Sequence, residues 1–174
     1  MNIDYSRLNK QVNKVAKSKS FDEDVKELVS RYLNIPLDDF GDYKGLLKLN
    51  KYFYLFPVYI GIKKSEKFDL HTVFTNPEKN VLLRWWINYV EKLEDNFDRS
   101  KVILVFKKNY QPMLCLLLID TFKELLSFVK VRVYIKSLIT FESFEADEIF
   151  IICKFEDLLK ERALEFSLDY KKGR

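Results

Sequence analysis

Three observations predict an α/β fold with a mixed β-sheet and helices on both faces. The chain of 174 residues is 48% hydrophobic, enough for a layered core within one domain. Val102–Phe106 is an unbroken apolar run of strand length, the pattern of a strand covered on both sides. Helical and strand periodicities alternate in the order α-α-β-β-β-α-β-α-β-β-α, so an antiparallel meander precedes units that suggest parallel additions.

Residues 4–18 read as a basic amphipathic helix packed on the body, with residues 20–174 forming a single domain. Ser20-Phe21-Asp22-Glu23 is a capping box that opens a second helix, which ends before Pro36. Pro36–Asp42 is a turn-rich acidic loop. Strands are predicted at 43–49, 52–62 and 68–74, with Pro57 demanding an edge or a bulge in the second. Thr75-Asn76-Pro77 starts a helix carrying Leu82, Trp85, Trp86, Tyr89 and Leu93. Adjacent residues on a helix point about 100° apart, so one indole is expected inside and the other at the boundary of the apolar stripe. Beyond the Val102–Phe106 strand, Pro112–Val129 reads as a helix and Val131–Ile135 and Glu148–Cys153 as strands. Phe155–Tyr170 reads as the closing helix.

The net charge is +4, and residues 1–19 account for all of it: Arg7, Lys10, Lys14, Lys17 and Lys19 stand against Asp4 alone. At about 100° per residue, Arg7, Lys10, Lys14 and Lys17 share one narrow arc, and Tyr5, Leu8, Val12 and Val15 share the opposed one. No Glu four residues away neutralises those cations, so the face suits an anionic partner such as a phosphate backbone. A solvated face packed through its apolar side is the plainer alternative. Lysines also close three predicted strands, as Lys63-Lys64, Lys107-Lys108 and Lys136. If two of those strands are parallel neighbours, their lysines form one positive rim, since ligands of open sheets favour the carboxyl ends of parallel strands. Strands also end in polar residues for no functional reason, and Lys is abundant here.

Asp38, Asp39 and Asp42 cluster in the acidic loop, and Asp69 lies on the predicted third strand. Carboxylates of this kind could hold a divalent metal and activate water for phosphodiester attack, or simply cap turns. The order helix, three-stranded meander, helix, strand over about residues 21–107 resembles the core of the restriction-endonuclease-like superfamily, which includes the archaeal Holliday junction resolvases. That family's motif is Pro-Asp near the second strand, then an acidic residue, any residue and Lys on the third. The resemblance implies Asp42 and Asp69 as metal-binding and catalytic acids, Lys63 as the catalytic lysine, and Glu27 as a helical glutamate. It also implies Mg²⁺ as cofactor if the site is active. Two departures follow: with Lys63 as the lysine, Gly61 stands where the second acid belongs, and Asp69-Leu70-His71 has His in place of Lys. The resemblance therefore implies a degenerate site.

Several chemistries are excluded. One His forbids multi-histidine metal sites, and four Gly cannot compose a phosphate-binding loop or a dinucleotide fingerprint. Cys115 and Cys153 each lie in an apolar run and read as buried thiols of a reducing compartment. Met1–Ser20 is too polar for a signal peptide, and the longest apolar run, Met113–Ile119, is far short of the roughly 18 residues a membrane span needs. The expectation is a cytoplasmic protein with no membrane partner. It associates with nucleic acid through Arg7, Lys10, Lys14 and Lys17 together with Lys63, Lys64, Lys107 and Lys108. The alternatives are a protein–protein module, which docks on a partner or on a second copy of the chain, and an active metal-dependent nuclease.

Overall fold

A computed structural model describes residues 20–127 and 132–172. Residues 1–19, and with them the predicted basic helix, lie outside the described residues. Local sequence sets the first helix, α1 (Phe21–Leu33). Glu23 N–H donates to Ser20 Oγ at 3.3 Å, and Ser20 N–H donates to the Glu23 carboxylate at 3.2 Å. Val25, Val29 and Leu33 recur every four residues as its buried stripe, and Asn34 ends it in the left-handed region (φ 53°).

A seven-stranded sheet follows, in the spatial order β1-β2-β3-β4-β5-β7-β6. Its strands are β1 (Phe40–Tyr43), β2 (Leu46–Leu49), β3 (Tyr59–Lys64), β4 (Val102–Lys107), β5 (Leu114–Leu118), β6 (Leu138–Ser143) and β7 (Glu148–Lys154). Between them run α2 (His71–Thr75), α3 (Val81–Val90) and α4 (Ile119–Leu125), and α5 (Phe155–Lys172) closes the chain. Among the described residues only β3 and β4 pair in parallel, from Tyr59 opposite Val102 to Lys64 opposite Lys107. Every other pairing is antiparallel. The mixed sheet is as predicted, with one parallel addition in place of several.

β4 is the middle strand, and Val102–Phe106 are all fully buried. Ile103 and Val105 pack towards α1, α4 and α5, while Val102, Leu104 and Phe106 pack towards α2 and α3. Burying each such side chain contributes roughly 1.5–3 kcal/mol, so a strand apolar on both faces sits where both faces are covered. Trp86 is the inward indole of α3, 1% exposed, and its Nε1–H donates to the Val102 carbonyl at 3.0 Å. Trp85 is half-buried at the edge of the stripe, as the 100° rotation requires.

Several element boundaries differ from the sequence reading, each for a physical reason. The predicted strand 43–49 is a hairpin, because Lys44 (φ 52°) and Gly45 (φ 83°) form a two-residue turn with both central residues at positive φ. The predicted strand 52–62 begins as a single helical turn at Phe53–Leu55 and becomes β3 only at Tyr59. The carbonyls of Tyr54 and Leu55 face the Arg162 guanidinium rather than a neighbouring strand. Residues 68–74 form no strand: Asp69 and Asn80 organise the turn into α2. Asn80, itself buried, caps α3 by accepting from Leu82 N–H at 2.8 Å, so that helix begins after the Pro77 turn.

Within the predicted helix Pro112–Val129, Leu114–Leu118 is a strand and Ile119–Leu125 a short helix. Cys115 and Leu117 face one core cluster and Leu116 and Leu118 the other, an alternation hidden within a uniformly apolar run. Residues 132–135 form no strand, because the buried Glu161 carboxylate accepts the N–H groups of Tyr134 and Ile135. The outer strand is β6 instead. Cys115 and Cys153, distant in sequence, stand opposite each other on β5 and β7, with free thiols and sulfurs 3.6 Å apart. Burial, reinforced by Cys153, pushes the Cys115 thiol well above its ordinary pKa. Among the described residues no helix is long and apolar enough to cross a membrane.

Candidate nucleic-acid interface

Parallel pairing of β3 and β4 brings the ends of both strands to one edge of the sheet. Lys64 and Lys107 are register partners there, and Ser65 N–H extends the ladder to the Lys107 carbonyl at 3.1 Å. Lys63 and Lys108 flank them. The Lys63 ammonium lies 5.5 Å from the centre of the Tyr89 ring, and that of Lys108 lies 4.9 Å from the Phe68 ring. None of the ion pairs among the described residues uses any of these four lysines. Four cations at one rim, with no ion-paired carboxylate among the described residues, repel one another and form a charge pattern that suits an anion.

Acidic groups lie nearby. Glu66 accepts Asn109 N–H at 2.7 Å, which ties the loop after β3 to the loop after β4. Asp24 and Glu27 share a shallow cleft with Lys107 and Arg31 on the α1 side. The third predicted lysine position, Lys136, follows residues 132–135, which form no strand.

The predicted acids occupy separate places. Asp42 is exposed at the end of β1 and accepts Gly45 N–H at 3.3 Å, the bond that closes the hairpin turn. It lines a cleft of ≈ 240 Å³ with Asp22, Lys26 and Tyr89. Asp69 accepts His71 N–H at 2.9 Å in the turn into α2, on no strand and outside that cleft. Lys63 lines a neighbouring cleft of ≈ 280 Å³ with Trp85, Asn88, Tyr89, Glu91 and Lys92. Asp39 is taken up by structure, since its carboxylate accepts the N–H groups of Asn50, Lys51 and Tyr52 at 2.9–3.2 Å. Among the described residues no group of three or more His, Cys, Asp or Glu is placed to hold a metal ion.

Gly61 sits on β3 two residues before Lys63, on the same face. A Cβ at that position would lie 2.5 Å from the Tyr89 ring. The ring is held there by its hydroxyl, which donates to the Ile62 carbonyl at 3.1 Å. Burial raises the Tyr89 pKa, and the nearby Asp22 charge adds to it. The space beside position 61 is therefore filled by an aromatic ring from α3.

Arg7, Lys10, Lys14 and Lys17 lie outside the described residues. Two residues of this edge, Lys92 and Tyr110, were not singled out as site residues from sequence, whereas one indole of the Trp85/Trp86 pair was expected at the boundary of the apolar stripe. Lys92 follows Trp85 by seven and Tyr89 by three, which is one helical face, and Tyr110 closes the basic–aromatic string Lys107-Lys108-Asn109-Tyr110. Both patterns were present to be read. Together, fold and edge define an α/β protein with a mixed seven-stranded sheet and a lysine-rich rim at its one parallel pair. Comparison with protein families, curated proteins and solved structures finds no match for this chain.

Proposed function

We propose that this chain associates with nucleic acid on a nuclease-like α/β scaffold whose catalytic site is degenerate. The carrying observation is the rim of Lys63, Lys64, Lys107 and Lys108, four cations without ion-pair partners among the described residues. A phosphate backbone supplies closely spaced negative charges to such a row and releases counterions as it binds. The order α1, three-stranded meander, α3, β4, with β4 parallel to β3, supports the likeness to restriction-endonuclease-like cores. The residues present do not fit Mg²⁺: Asp42 and Asp69 serve separate turns, and the ring of Tyr89 blocks a carboxylate at position 61.

Replacing the four rim lysines by Gln is expected to weaken duplex binding and to flatten the dependence of log K on log[salt]. The slope should fall by roughly 0.9 for each phosphate that the variant no longer neutralises. The same change at Arg7, Lys10, Lys14 and Lys17 tests the contribution of the basic N-terminal segment. For the rim variant, stability should move by about 1 kcal/mol, the scale of the cation–π contacts that Lys63 and Lys108 give up. An unchanged slope in both sets would remove the phosphate reading.

Incubation of labelled duplex, branched and single-stranded substrates with Mg²⁺ or Mn²⁺ is expected to give no cutting. Cutting that disappears in Asp42→Asn or Asp69→Asn would instead establish an active nuclease.

A further inference from the structure

We propose that this edge binds unpaired nucleotides, with phosphates on the lysine rim and bases stacked on Trp85 and Tyr110. The inference rests on the proposed association with nucleic acid and narrows its ligand to single-stranded segments. Its first support is the cleft beside the rim. There the ammonium groups of Lys63 and Lys92 lie 5.5 Å and 5.4 Å from the centre of the same Tyr89 ring. The Tyr89 hydroxyl is committed inward to Ile62, so two cations and a ring belong to one concave surface. Trp85 lines that surface as a half-buried indole, and the Asn88 amide and Glu91 carboxylate offer a donor and acceptors for a base edge.

The second support stands on the other side of the rim. Tyr110 is 105% exposed, two residues after Lys108, and holds φ 59°, a backbone region that residues with a large side chain seldom adopt. The Asn109 N–H bond to Glu66 fixes the loop, so the ring is presented to solvent beside Lys107 and Lys108. A duplex offers phosphates to such a surface but keeps its base faces stacked inside. An unpaired strand offers both, and aromatic side chains then add to the electrostatic attraction.

Tryptophan emission tests this directly, because Trp86 is buried against the Val102 carbonyl and a binding-linked change reports Trp85. The probes are oligothymidylate and oligouridylate of about 12 nucleotides, within the site sizes of single-strand binders, and a blunt duplex of similar length. Either single strand is expected to quench the emission, and the two arms separate a DNA ligand from an RNA ligand. The duplex is expected to leave the emission unchanged. Tyr110→Ala, at a position too exposed to disturb folding, should weaken single-strand affinity about tenfold and leave duplex affinity unaltered. Lys92→Gln should also weaken single-strand binding. Equal quenching by the duplex overturns the inference. So does single-strand affinity held within about twofold in both variants while the wild type binds duplex; the proposed function then survives. A wild-type chain that binds none of the three probes overturns both.

Discussion

Gly61→Asp, which would place a carboxylate two residues before Lys63, is expected to destabilise the fold by about 3 kcal/mol or more. The new Cβ alone would sit 2.5 Å from two carbons of the Tyr89 ring. The ring cannot yield freely, because its hydroxyl is bonded to the Ile62 carbonyl and α3 is packed on the sheet by Trp86. A carboxylate pressed against the ring adds a desolvation penalty to the overpacking. Gly61→Ala isolates the steric part. The φ of Gly61 lies outside the left-handed region, so alanine meets no backbone strain, and the smaller freedom of its unfolded chain should favour it by about 0.4–1 kcal/mol. A net cost of about 1–3 kcal/mol in the wild-type background would then come from the ring. In a Tyr89→Ala background the sign should reverse, and Gly61→Ala should be neutral or mildly stabilising. Urea unfolding of the four chains in this cycle measures the coupling. An equal cost in both backgrounds would show that the ring does not block the position.

Features that depend on near neighbours in the chain were legible. The Ser20 capping box involves groups three residues apart, and the Val102–Phe106 run requires cover on both faces wherever it is placed. The Trp85/Trp86 split follows from helical rotation alone. What could not be read depends on partners far along the chain. Residues 114–118 look the same as an apolar helix until β4 and β7 take their backbone groups on either side. Residues 134–135 suit a strand by composition, yet Glu161 takes their N–H groups. The lysines of the rim were visible as strand ends, but their juxtaposition needed the parallel register of β3 and β4. Gly61 was visible as the wrong residue for an acid. The reason it must be small lies in a ring 28 positions later.

Arg162 carries the largest of these long-range effects, and Arg162→Ala is expected to cost about 4 kcal/mol. Its guanidinium is buried among backbone carbonyls. Nε donates to Leu55 at 2.9 Å, Nη1 to Leu125 at 2.7 Å and Nη2 to Tyr54 at 3.5 Å, with the Phe166 ring 4.4 Å from the guanidinium carbon. Burial lowers its pKa, while the charges of Glu165 and Glu124 oppose that, and an arginine starts so high that it remains protonated. One side chain on α5 thus satisfies the helical turn before β3 and the end of α4. Removing it leaves three carbonyls without donors at roughly 1–3 kcal/mol each for those that water cannot reach. Arg162→Met separates this from the packing of the stem: it retains most of the apolar chain but none of the donors, and should cost nearly as much as alanine. Arg162→Lys should recover only part, because a point-like ammonium cannot span the planar fork. In a domain of this size, the alanine variant should melt about 10 °C lower than the wild type. Full recovery by methionine would assign the effect to packing, and a cost below about 1 kcal/mol in alanine would show that water satisfies the carbonyls in its place.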